Sequence, residues 1–335
     1  MAHSLPHPST GHEPQLGGEA VVLTGFEPLL GGGRRAGADV HRVQAIINAA
    51  SEDEARRLLD FVVDLGQGSI YAAELAQIIP ARARHHVGNW RGSFTPTQRI
   101  RAMDALAVIG SYESIPPLAE ALSEGVAPVR EAAGRALRAV CARMEPEDPR
   151  TTLVYRVLVD ALRVLPQSAR KVVSGILAAA PPELVLGPLL REGLCAPEWW
   201  ARREAAWVLG LLGDKRATRR LIEALQDSSA AVRTSAAWAL GQLEAPVAID
   251  PLSQAANDPD EVVRAAAVEA LGAHIARLSV MDEAFKPTLD RIAAALEDRE
   301  LSVRHAAFET LTALDRPEAR LKLHAFLNRQ GAAHG

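Results

Sequence analysis

One arginine recurs along this chain at a spacing that accounts for most of its length. It stands at Arg99, Arg130, Arg170, Arg202, Arg233, Arg264 and Arg304, at intervals of 31 to 40 residues. Three of these positions sit in near-copies of one block: RREAAWVLGLLGD from Arg202, VRTSAAWALGQL from Val232 and VRAAAVEALGAH from Val263. A period of this size belongs to an α-solenoid, where each unit is a helical hairpin whose apolar stripe is buried only by stacking on its neighbours. In the unit around Arg233, ATRRLIEALQD offers Leu221, Ile222 and Leu225, and AAVRTSAAWALGQL offers Val232, Ala236, Leu240 and Leu243, both at helical spacing. The longer intervals hold extra turns at Glu145–Arg150 and Ser279–Lys286.

Composition agrees with helices packed through small residues. The chain is 48% apolar but only 4% aromatic, whereas strands draw on aromatic and β-branched side chains. The expected fold is all-α: a solenoid of about seven helical hairpins over residues 95–330 behind a short N-terminal helical cap. Residues 1–37, rich in Gly, Pro, His and Ser, read as a flexible tail, with His3, His7 and His12 solvated. Residues 38–94 hold the cap and a basic loop. There Ser51 and Glu54 form a capping box ahead of Leu58, Leu59 and Val62, and Pro80 stops a second helix. No acidic residue occurs from Leu75 through Met103, so Arg82, Arg84, Trp90 and Arg91 make the loop a secondary candidate for acidic or phosphate partners.

An acid stands six places before the arginine in four units, at Glu124, Asp227, Asp258 and Asp298. It ends one helix as the arginine opens the next, so the pair is expected to bridge the turn or the adjacent unit and to cap the second helix. The arginines and Asp227, Asp258 and Asp298 are therefore read as a structural ladder.

The pattern D-x5-R-x2-A-A-x-A-L-G, as in Asp227–Gly241, resembles the HEAT repeat, and within it the short bacterial subtype named for the phycobilisome lyases. The match weakens at Arg170, where Val172, Val173 and Ser174 replace the alanines. The resemblance implies HEAT-like hairpins whose second helices line a concave side, and a scaffold or adaptor role. Some relatives are bilin lyases, DNA glycosylases or an iron-dependent hydroxylase. The hydroxylase would need repeated His-Glu pairs, and the sequence has one, His12–Glu13. The lyases show an aromatic first repeat of the type YYAAWWLG, met here only by REAAWVLG at Arg203–Gly210. A net charge of −4 disfavours a nucleic-acid grip.

The register also isolates a surface. The residue five after each arginine is Asp104, Arg135, Gly175, Trp207, Trp238, Glu269 and Glu309, a column that faces solvent because most members are charged. One turn earlier lie Lys171 and Arg203. Two tryptophans in a polar column, with Arg135, Arg138, Lys171 and Arg203 around them, mark a partner-binding surface for an acidic or extended protein segment. Arg203 is expected to stack on Trp207. The competing reading lays both indoles across the neighbouring unit as filler, and Trp199 and Trp200 are expected to plug the turn before this unit.

The two cysteines, Cys141 and Cys195, read as ordinary thiols. No nucleophile elbow, phosphate loop or metal-ligand spacing occurs, and His85–His86 is too close in sequence to converge. The expected protein is a cytoplasmic, non-catalytic scaffold, adaptor or assembly chaperone with no cofactor, metal or membrane span. The alternatives are a bilin-lyase-like or pigment–protein maturation factor and a nucleic-acid-binding solenoid.

Overall fold

A computed structural model describes residues 95–109 and 112–333 of the chain. It divides into two compact units between Pro117 and Leu118. In the first, α1 (Pro96–Ile109) starts on a proline, with Thr95 ahead of it accepting from the Arg99 amide at 3.0 Å. The first described helix thus opens at Pro96, one residue into the stretch expected to be solenoid. Helix α2 (Ile115–Ala121) spans the division between the units.

The second unit is a run of hairpins. Its helices are α3 (Ala127–Ala142), α4 (Pro149–Val164), α5 (Gln167–Ala178), α6 (Pro182–Pro188), α7 (Trp199–Leu212), α8 (Thr218–Ala224) and α9 (Ala230–Leu243). There follow α10 (Ile249–Ala255), α11 (Glu261–Ile275), α12 (Phe285–Ala294), α13 (Leu301–Ala313) and α14 (Pro317–Ala333). No strand occurs among the described residues. The expected solenoid is thus the fold. Each described hairpin places its register arginine on its second helix, and Arg99 lies on α1. The cap, the tail and the boundaries expected near 37 and 94 lie outside the described residues.

Alanine and glycine set how closely the second helices stack. α7, α9, α11 and α13 pack in succession. Val232, Ala236, Leu240 and Leu243 of α9 are buried as their spacing required, as are Leu221 of α8 and Leu225 at its C-cap, whereas Ile222 is half-buried. Glycine sits where the next helix comes closest. A Cβ on Gly210 would lie 2.9 Å from the Ala239 Cα, and one on Gly241 would lie 3.0 Å from the Ala270 Cα. At Gly272 it would collide with Thr310.

The ladder crosses from unit to unit. Arg202 chelates Asp227 at 2.7 and 2.8 Å, Arg233 chelates Asp258 at 2.8 and 2.7 Å, and Arg264 chelates Asp298 at 2.9 and 2.8 Å. Each arginine uses Nη1 on carbonyls five and six residues back, as Arg233 does on Ser228 and Asp227. Each aspartate in turn accepts the amide two residues on, at Ser229, Asp260 and Glu300. One carboxylate thereby holds the amide of the N-cap residue that opens its own second helix and the arginine of the preceding unit, rather than capping the helix itself as expected.

The links from Arg202, Arg233 and Arg264 are closed by a carboxylate, and those from Arg130, Arg170 and Arg304 are not. Arg130 bonds to the carbonyls of Glu124 and Gly125, and Arg304 to those of Asp298 and Arg299. At Arg170 the acid's place is held by Ala196, so Nη1 bonds to the Leu165 carbonyl while Nε is buried without a partner. The guanidinium lies 5.8 Å from the Trp200 ring, and burial pulls its pKa below the ordinary arginine value.

The closed links carry a pH dependence. Burial pushes the Asp227 and Asp258 carboxyls up, but bonds from Arg202 and Arg233 and from the N-cap amides outweigh it, leaving both pKa values below the ordinary one. The Asp298 carboxyl is held down by its bonds to Arg264. With folded values below unfolded ones, the stabilisation is complete above the unfolded value of about 3.9 and is lost as pH falls through the depressed folded values. Helical circular dichroism should hold down to about pH 4 and fall below it. Asp258→Asn should flatten that fall, and an unchanged acid profile would show that the links do not matter.

Candidate functional site

The seam between α5 and α7 differs from those that follow. Eight residues after the register arginine, α7, α9 and α11 have Gly210, Gly241 and Gly272, whereas α5 has Ala178. The helices there cannot approach through a bare backbone, and a cavity of about 450 Å³ opens between them. α5 lines it with Lys171, Ser174 and Gly175, α7 with Arg203, Glu204, Trp207 and Leu211, and α9 with Ser235. A Cβ on Gly175 would meet nothing within 4 Å, so this glycine widens the slot.

Trp207 forms the aromatic wall. Its ring stacks on that of Trp238 with centroids 3.8 Å apart and planes 19° apart. Trp238 reaches from α9 back across Gly210, where a Cβ would lie 2.5 Å from its ring carbon, and is half-buried. Trp207 remains 40% exposed. Trp238 therefore buttresses its neighbour and covers one face of the ring, leaving the other side to the cavity. Glycine at 210 permits this: any side chain there would occupy the indole's place.

Charge is arranged around a buried acid. Glu204 is 5% exposed; its carboxylate accepts from the Ser174 hydroxyl at 3.0 Å and is paired with Arg203. Lys171 is exposed on the rim, and Arg170 lies beside Glu204 electrostatically. Lys171 and Arg203 thus line the opening beside one internally satisfied carboxylate, which leaves it favourable to an anion.

The structure brings Lys171, Arg203 and Trp207 to one cavity, with Trp238 stacked behind. Arg135 and Arg138 are exposed on α3 and do not line it. Arg203 departs from expectation: its guanidinium lies 5.9 Å from the Trp199 ring instead of over Trp207. The Cα–Cβ bonds of a helix lean toward its N-terminus, so a long side chain reaches the residue four before it. Trp199 and Trp200 open α7 and meet edge to face at 5.9 Å. Trp200 Nε1 donates to the Arg163 carbonyl at 3.0 Å and fills the turn, while Trp199 is 43% exposed. Arg82, Arg84, Trp90 and Arg91 lie outside the described residues.

Sequence reasoning passed over Glu204, Ser174, Leu211 and Ser235. The signal for Glu204 was available: its register position holds Arg101 in the first unit but Ala132, Val172, Ser235, Ala266 and Ala306 in the others, and an acid in a mainly small or apolar column needs a partner. That partner, Ser174, is one of the departures at Arg170. Among the described residues no three His, Cys, Asp or Glu side chains converge as a metal site, and no helix is long and apolar enough to cross a membrane.

Stacked hairpins, an arginine–aspartate ladder and a cleft on the second-helix row define the class first: an α-solenoid with a built surface site. Residues 187–272 match the family model for HEAT repeats. No curated protein sequence matches it. Among solved structures, it is similar to the karyopherin Kap121p bound to the SUMO protease Ulp1p, with TM-score 0.61 and 13% identity over 93% of this chain and 37% of that one. The same karyopherin bound to the extreme C-terminus of the protein phosphatase Cdc14p gives TM-score 0.57 and 12% identity, over 88% and 35%. The complex of CpcE and CpcF of phycocyanin lyase from Nostoc sp. PCC7120 gives TM-score 0.42 and 23% identity, over 47% and 98%. The chain thus spans about a third of the karyopherin.

Proposed function

We propose that this protein is a non-catalytic scaffold or adaptor that holds an extended, acidic segment of another protein in the α5–α7 cleft. The observation that carries this reading is the Trp207 ring, braced by Trp238 and open to a cationic cavity. An aromatic face held rigid before binding loses little entropy on contact, and such residues dominate interface energies. The carboxylate inside is already engaged by Ser174 and Arg203, which leaves Lys171 on the rim to meet an acidic group.

The test is capture of partners from native lysate by the wild type and by Trp207→Ala. The variant should weaken capture of a specific protein by about thirtyfold, the effect of losing a hot-spot aromatic. Its stability should fall by only about 1 kcal/mol, the worth of an aromatic pair. Equal capture by both proteins would remove the cleft from the interface. A coloured eluate would favour a pigment–protein maturation factor instead.

A further inference from the structure

The cleft has two levels, and their separation specifies what a partner must present. The upper level, one residue after the register arginine, holds Lys171 on α5 and Arg203 on α7. One helical turn further, Gly175 on α5 and Trp207 on α7 line the same cavity, and a Cβ on Gly175 would meet nothing within 4 Å. Four helical residues rise about 6 Å. Alternate residues of an extended chain point the same way and lie about 6.6 Å apart. A strand lying along the seam therefore presents one side chain to the cations and the next on that side to the slot. Neighbours in sequence would point to opposite faces, and a spacing of four would overshoot.

We infer that the cleft reads an acidic residue and a flat apolar residue (Pro, Phe, Tyr or Trp) separated by a single residue in an extended partner segment. This rests on the protein-binding reading above and adds the chemistry and spacing of the ligand. The carboxylate meets Lys171 and the part of Arg203 not engaged by Glu204. The flat side chain enters between Trp207 and the bare backbone of Gly175, with Leu211 alongside. Specificity has a steric element as well as an attractive one, since a side chain at position 175 would close the slot.

Capped glycine-spaced peptides carrying one Asp and one Phe, in both orders, provide the probe. The two side chains are separated by none, one, two or three residues, and binding to the full-length protein is read by tryptophan fluorescence. A one-residue separation, in at least one order, should bind about tenfold more tightly than the others. Asn in place of Asp should abolish that preference. Gly175→Leu should reduce binding by about tenfold or more while unfolding at the same or a higher temperature, because leucine favours the helix and its Cβ meets nothing. Lys171→Glu should prefer the Lys-for-Asp peptide. Binding that ignores spacing, or a Gly175→Leu protein that binds as the wild type does, overturns the inference. Should lysate capture still depend on Trp207 in that case, the protein-binding reading stands and only the motif falls. Loss of both results removes the two together.

Discussion

Arg233→Ala should destabilise the array by about 3 kcal/mol, the cost of removing one partner from a buried ion pair. The side chains of Arg233 and Asp258 are 13% and 9% exposed, so the remaining carboxylate would keep one amide bond and little water. Four hydrogen bonds are lost at once, two to the Asp258 carboxylate and two to the Asp227 and Ser228 carbonyls. Urea unfolding measures the change. Arg304→Ala is the internal control: its guanidinium bonds only to the Asp298 and Arg299 carbonyls, and its loss should cost about 1 kcal/mol. Equal costs at the two sites would show that the inter-unit link contributes nothing.

Gly210→Val should cost about 3 kcal/mol, the upper range for overpacking a close helix contact. Its first carbon would fall 2.5 Å from the Trp238 ring and 2.9 Å from the Ala239 Cα, and the second of these is backbone that cannot swing away. The substitution should also break the Trp207–Trp238 stack, so near-ultraviolet circular dichroism from coupled indoles should disappear along with the stability. An unchanged spectrum and unfolding temperature would mean that α7 and α9 are not held as closely as their geometry requires.

The architecture was legible because a recurring arginine and recurring alanines mark the same face in every unit. Position five after the arginine is exposed at Arg135, Gly175, Trp207, Glu269 and Glu309 but half-buried at Asp104 and at Trp238, which packs across the neighbouring unit at Gly210. The acid six places back was visible too, but whether it served its own turn or the unit before it depends on the stagger between hairpins, which no single repeat encodes. The breaks were latent in the sequence: Ala196 stands where Asp227 and Asp258 stand later, and Arg170 is left with a buried Nε.

The site was harder to see because it arises from differences between repeats. The width of the α5–α7 seam follows from Ala178 where later units have glycine, a contrast that means little until the close approach at Gly210 and Gly241 is known. Glu204 and Ser174 pair across that seam, from columns otherwise filled mainly by small or apolar residues. Arg203 illustrates a directional rule rather than a spacing rule: Trp199 and Trp207 are equally distant in sequence, and the helix's N-terminal lean selects Trp199.

The central claim is that the α5–α7 cleft, and no other face, receives the partner. A photo-crosslinking residue placed at Leu211, which is 48% exposed and lines the cleft, tests this most directly. The comparison is the same group at Val247, 68% exposed beside α10 and away from the cleft. The account requires one discrete crosslinked protein from Leu211, competed away by the Asp-Gly-Phe peptide, and none from Val247. Crosslinks from Val247 alone, or from both positions without competition, would contradict it.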